Sequence, residues 1–300
     1  MTVKGYNIND WLPVTRKDAD KRGWKEPDVV IFSGDAYVDH PSFGSAVIGR
    51  VLEKCGLKIA MVPQPDWRGD HRDFRKFGKP RLFFAVTSGC MDSMINHYTA
   101  GKRLRSDDAY SPEGRAGLRP DYAVTVYTKI LKELYPDVPV IAGGVEASLR
   151  RITHYDYWSD SLKPSVLQES GADMIVYGMG EKPITEIVRL MERGVPFSSL
   201  KTVEQTAFIE ESADQIKRRK GWADVELPSH EECLSDKRMF GENFVLSEKA
   251  SVSDKPVRLI QKTGDRYVVV NPPFTGLSSG DVDSGFDLPY TRLPHPKYRG

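Results

Sequence analysis

Cysteine is scarce in this chain: Cys55, Cys90 and Cys233 are the only three in 300 residues, and they form no CxxC or CxxxC pair. This spacing argues against the disulfide framework of a small secreted protein and favours a reducing compartment, the cytoplasm. It also excludes the closely spaced triplet that fixes an iron–sulfur cluster from this sequence. An excess of one charge is missing too. Lys plus Arg number 43 against 42 Asp plus Glu, a formal net charge of +1, so no global field points to nucleic acid or a membrane surface and any polyanion site would be local. No apolar run approaches the roughly 20 residues of a membrane span. Residues 1–10 lack the apolar core of a signal peptide.

What is present is an alternation. From Asp28 to Ile209, short apolar runs (Val29–Phe32, Lys58–Val62, Arg81–Val86, Val138–Ala142, Asp173–Tyr177) alternate with amphipathic stretches, the pattern of parallel strands joined by helical crossovers. Ser42 is placed to cap a helix with the stripe Val47, Ile48, Val51, Leu52 and Cys55, which Gly56 stops. A short helix is expected within Asp70–Phe77. A longer one starts at Pro120 with Ala123, Tyr127, Ile130 and Leu134 on one face. Pro183 opens another, with Ile184, Ile187, Val188 and Met191 inward and Gly194 closing it. The reading is α/β: a doubly wound, mostly parallel sheet, with an irregular C-terminal extension. Residues 1–27 form an N-terminal arm, 28–210 a Rossmann-like domain and 211–300 an extension. In the last part only Arg266–Val270 reads as a clear strand, and prolines 272, 273, 289, 294 and 296 predict an extended path over another surface.

In such a sheet, ligands bind beyond the carboxyl ends of the strands near the topological switch point. The loops there hold the candidates Asp35, Asp39, His40 and Ser42 after the first strand, and Ser88 and Asp92 after the third. Gly143, Gly144 and Glu146 follow the fourth, with Gly178, Gly180 and Glu181 after the fifth. The two adjacent glycines would let a ligand lie against the main chain and free helix amides toward it. Each has a plainer reading: His40 before Pro41 as a helix-entry residue, Gly143-Gly144 as a tight strand end, Cys90 as a small packed residue without a histidine partner. The cluster His154-Tyr155-Asp156-Tyr157-Trp158, beside Arg150 and Arg151, alternates aromatics and acids where a solvated helix would show Lys and Glu. It reads equally as an interface plug or a ligand wall.

These segments together resemble a known family. The stretches Gly34–Gly44, Met91–Asn96, Gly143–Arg151 and His154–Asp160, with Gly264–Val268 and Leu288–Pro296, look like the N-terminal region of the YgiQ-like radical SAM proteins, from about Trp24 onward. The resemblance implies a flavodoxin-like, cobalamin-binding-like domain with strand order 2-1-3-4-5. In the full-length parent it implies a following radical SAM barrel, a [4Fe-4S] cluster and S-adenosylmethionine, none of them held by this chain alone. The DxHxxG cobalamin motif is not met, since Val38 lies two before His40 and Gly44 four after it. Cobalamin ligated by histidine therefore does not follow, while cobalamin without a protein ligand remains open. The expected role is substrate or cofactor recognition, with the barrel and a small-molecule substrate as partners, no membrane, and nucleic acid not expected. Two other readings stand beside it: a free-standing binding module for cobalamin, flavin or a nucleotide-like substrate, and a purely structural domain that gates the barrel.

Overall fold

The computed structural model describes residues 5–274, 276 and 278–298. Among the described residues eleven strands are formed: β1 Val29–Ser33, β2 Ile59–Pro63, β3 Phe83–Thr87, β4 Val140–Gly143, β5 His154–Asp156, β6 Ser161–Lys163, β7 Met174–Val176, β8 Thr206–Glu210, β9 Ala223–Leu227, β10 Val257–Thr263 and β11 Arg266–Val270. The α-helices are α1 Arg16–Lys21, α2 Gly44–Lys54, α3 Arg72–Arg75, α4 Ser93–His97, α5 Ala123–Leu134, α6 Gly144–Leu149, α7 Val166–Ser170, α8 Glu181–Glu192, α9 His230–Ser235, α10 Lys237–Ser251 and α11 Ser279–Phe286.

Nine strands share one sheet in the order β2-β1-β3-β4-β7-β8-β11-β10-β9. The first five pair in parallel, in the expected doubly wound order. β8 turns the direction, pairing antiparallel with β7 and with β11. β5 and β6 form a separate hairpin.

β1 and β2 are buried at all five positions because helices cover both faces. On one face α2 and α8 set Ala46, Leu52, Ile184 and Ile187 against Val29, Ile31, Ile59 and Met61. On the other, Tyr127 and Leu131 of α5 and Val166 and Leu167 of α7 meet Val30, Phe32, Phe84 and Val140. Successive residues of β1 thus feed two separate cores. None of the described helices is long and apolar enough to cross a membrane.

Several local expectations are corrected. Ser42 does not cap α2; the Phe43 amide donates to the His40 carbonyl, and this turn moves the boundary to Phe43, which makes no side-chain cap. Cys55 is exposed, and the side buried on the sheet is Ala46, Gly49 and Leu52. The helix lies so close there that a Cβ on Gly49 would come within 2.5 Å of Leu12 Cδ1, so Val47, Ile48 and Val51 pack sideways, within the core that α8 shares. The helix expected from Pro120 begins at Ala123, after Tyr122 in the left-handed region. Past residue 210 the chain contributes three strands to the main sheet. Those of β9 and β10 escape a sequence reading because they are partly solvated and carry Asp, Glu, Arg, Gln and Lys among their apolar residues.

Candidate functional site

The carboxyl ends of β1, β3, β4 and β7 converge on a cleft of about 350 Å³ between α2 and α8. Its apolar floor is Ile31, Ala85, Ile141 and Val176, with Ile48 and Ile184 from the helices. Ser42, Ser45 and Thr87 supply hydroxyls, and Gly143, Gly144, Gly178, Gly180 and Glu181 complete the wall. Gly144 is dictated by the backbone: its φ is +80°, and a Cβ would stand 2.4 Å from Thr87 Oγ1. Of the residues anticipated at this edge, six line the cleft together. The other six lie around it in internal bonds.

Asp35 is buried beside Arg119, whose Nη2 stands 2.9 Å from Asp35 Oδ1 and 3.0 Å from Asp108 Oδ2. The Cys90 amide donates to Asp35 Oδ2, and Arg119 Nη1 donates to the Ser88 carbonyl. Burial raises the Asp35 carboxyl above its ordinary value, with Arg119 and the Cys90 amide opposing the rise. Cys90 is no nucleophile here, because burial and the Asp35 charge push its thiol up to about 12. Asp39 accepts from Arg50 Nε (3.0 Å), from the Tyr37 hydroxyl (3.1 Å) and from the Thr291 amide (2.8 Å). It ties the segment around Thr291 to the loop after β1. Asp92 caps α4 through the Met94 amide and meets Arg150 Nη1 at 2.6 Å. Glu146 is buried and accepts from the Ser93 amide and hydroxyl and from the Val124 amide. Burial raises its carboxyl, Arg150 lowering it in part. The third Arg centre, like the first two, holds loops in place.

His40 stands outside the cleft lining. The Ser42 amide donates to its Nδ1 at 3.1 Å, so the ring proton sits on Nε2 and neither nitrogen presents a lone pair to a metal. No group of three or more His, Cys, Asp or Glu among the described residues is arranged to hold a metal ion. The three cysteines lie at the end of α2, in the loop after β3 and on α9. These donors do not fit a [4Fe-4S] cluster, nor does His40 fit a cobalt ligand.

Beyond the cleft, the β5–β6 hairpin and the loop after α4 shape a second hollow of about 500 Å³, lined by Tyr98, Leu149, Arg150, His154, Tyr155, Asp156, Tyr157 and Trp158. Trp158 packs on Tyr98 and Tyr157 with ring centroids 5.3 Å apart in both pairs. His154 donates from Nδ1 to the Ile152 carbonyl, leaving Nε2 buried without a partner, and burial lowers its pKa to about 4. Asp156 accepts from the Tyr122 hydroxyl and from Ser159. Arg151 turns away, its guanidinium 4.9 Å from the Tyr177 ring centroid. Sequence reasoning missed Arg119 and Asp108, which sit in no motif and meet Asp35 only in the fold. It also missed Ser45 and Thr87, ordinary residues at a helix start and a strand end.

Over residues 11–300 the chain matches the family model described as Radical SAM N-terminal. A UPF0313 protein of Porphyromonas gingivalis is 56% identical over 298 residues, an alignment covering 99% of this chain and 47% of that protein. A UPF0313 protein of Bacteroides thetaiotaomicron is 53% identical over 309 residues, covering 99% and 49%. One from Geobacter sulfurreducens is 46% identical over 292 residues, covering 96% and 47%. The chain spans about half the length of these curated relatives and aligns with what is their N-terminal part. With the doubly wound order on the page and identities above one half along nearly its whole length, the chain belongs to the UPF0313 family of radical SAM proteins.

Proposed function

We propose that this chain is the recognition half of a radical SAM enzyme, docked by its carboxyl strand edge on a further half that carries the cluster and S-adenosylmethionine. One observation carries the reading. Large apolar side chains are left exposed in a collar around that edge: Ile95, Leu104, Val145, Leu149, Tyr155, Tyr157 and Met179. Ile95, Leu149, Tyr155 and Tyr157 line one hollow. Exposed apolar side chains gathered in this way mark an interaction surface, and the relatives' second half supplies the chain to cover it. The Arg50, Arg119 and Arg150 centres then have a purpose, since they rigidify the loops between the collar and the cleft. The reducing cytoplasm is the compartment that fits three free cysteines.

Hydrogen–deuterium exchange tests this. Solvent-facing amides of residues 95–105 and 145–158 should exchange measurably in the 300-residue chain. Their equivalents should be protected in the full-length Porphyromonas gingivalis relative. Equal exchange in the two proteins would remove the docking reading.

A further inference from the structure

Glycines around the cleft fall into two groups. Gly144 and Gly178 have positive φ, +80° and +66°, and are accounted for by the backbone. Gly44, Gly143 and Gly180 are not. Gly143 is extended at φ −153° and Gly180 lies at φ −82°, conformations open to any residue. A Cβ on Gly44 would meet nothing within 4 Å, and one on Gly143 only the Val176 carbonyl at 3.4 Å. One on Gly180 would press on Ile48 and Val176, at 3.1 and 3.4 Å, both part of the cleft lining. What side chains at these three positions would take up is the space of the cleft and its mouth. At Gly44 and Gly143 the packing does not call for a glycine, whereas an open cleft does.

The lining selects what enters. Among the described residues its floor is apolar, its neutral polar side chains are hydroxyls, Glu181 is the one charged residue, and no Lys, Arg or His lines the wall. α2 and α8 both begin on the cleft without a side-chain cap. The Ala46 amide is taken by the Phe43 carbonyl, the Gly44 amide faces the Cys90 thiol and Pro183 carries no N–H, so the amides of Ser45, Glu181 and Lys182 are the ones left for neutral acceptor atoms. A phosphate would find no cation to pair with, and a carboxylate beside it.

We propose that the cleft binds a flat, uncharged heteroaromatic ring bearing carbonyl or ring-nitrogen acceptors, of the nucleobase or isoalloxazine kind, and gains nothing from a phosphate attached to it. This deepens the recognition reading above and rests on it, because the ring would be what this edge presents to the other half. The docking experiment involves no ligand, so the two ideas fail separately.

Equilibrium dialysis of the 300-residue chain against adenosine, AMP, riboflavin and FMN tests the proposal. Expected is micromolar binding of adenosine or riboflavin, with its phosphate ester at least about fivefold weaker, a gap of the size set by one repelling charge about 4 Å away across water. Glu181→Gln should narrow that gap. Gly143→Val should abolish binding while circular dichroism shows the fold retained, and Gly44→Leu provides a second obstruction should Gly143→Val fail to fold. Binding of a phosphate ester as tight as its parent, no binding by any of the four, or undiminished binding in a folded obstructed variant would each overturn the proposal.

Discussion

The all-parallel half of the sheet and its mixed half bury charge in different ways. In the parallel half Arg119 is fully enclosed between Asp35 and Asp108, whose side chains are just as buried. In the mixed half Arg258 of β10 is buried too, across the parallel pair with β9, and its Nε and Nη2 meet the two oxygens of Asp224, both at 2.9 Å. Asp224, however, keeps 28% of its side-chain surface in water. The five strands of the all-parallel half are packed by helices on both faces, so crossover loops that bring charge inward must neutralise it there. β9 and β10 are partly solvated and leave one partner hydrated. A preformed cleft belongs with the first arrangement, because closed ion networks hold its loops rigid before any ligand arrives.

The comparison breaks most readily at the arginines. Arg119→Met leaves two carboxylates buried without their cation and should cost about 3–5 kcal/mol in urea unfolding. Arg258→Met, with Asp224 free to hydrate, should cost about 1–3 kcal/mol. Equal losses would show that the two halves seal charge alike.

A smaller contrast lies in the turns. Gly144→Ala combines φ +80° with a clash at Thr87 and should cost about 2–3 kcal/mol. Gly264→Ala, in the tight turn between β10 and β11, has φ +59° and open space around it, so only the left-handed penalty of about 1 kcal/mol applies. Thermal midpoints of the two variants measure the difference.

Acid should act through the histidines. Burial lowers His154 and His295 to about 4 from an ordinary 6.5. Their folded values lie below the unfolded one, so their contribution is complete above pH 6.5 and is lost as the pH falls toward 4. His154→Gln should flatten that decline in a pH series of thermal midpoints, and an unchanged slope would show that His154 takes up its proton without penalty.

The smallest effects are expected at exposed apolar residues, where the halves stop differing. Leu149→Ser in the collar and Phe244→Ser on α10 should each change the stability of this chain by no more than about 0.5 kcal/mol. A larger loss at Leu149 would mean that the collar is part of this chain's own packing.

What could be read in advance follows the same division. β1, β2, β3, β4 and β7 are buried on both faces, so each reads as a short unbroken apolar run. Their order came from family resemblance, which the strand pairing then matched. β9 and β10 were missed because polar residues on their solvated side break up the run. At the edge, the loops were legible by the rule that ligands gather beyond the carboxyl ends of parallel strands, and Gly143, Gly144 and Glu181 do line the cleft. Which polar groups were free was not legible. Asp39 is occupied by Arg50, eleven residues on, and by the Thr291 amide, 252 residues on, and no local pattern announces either partner.

By itself, then, the sequence determined the parallel core, the missing metal triplet and the loops that reach the functional edge, because apolar periodicity and residue type are local properties. The tertiary structure alone decided that Asp35, Asp39, Asp92 and Glu146 are engaged by buried partners, and that Gly44 and Ser45 join Gly143 and Gly180 at the cleft. A carboxylate's availability and a glycine's purpose depend on what distant segments bring within about 3 Å, the reach of a hydrogen bond.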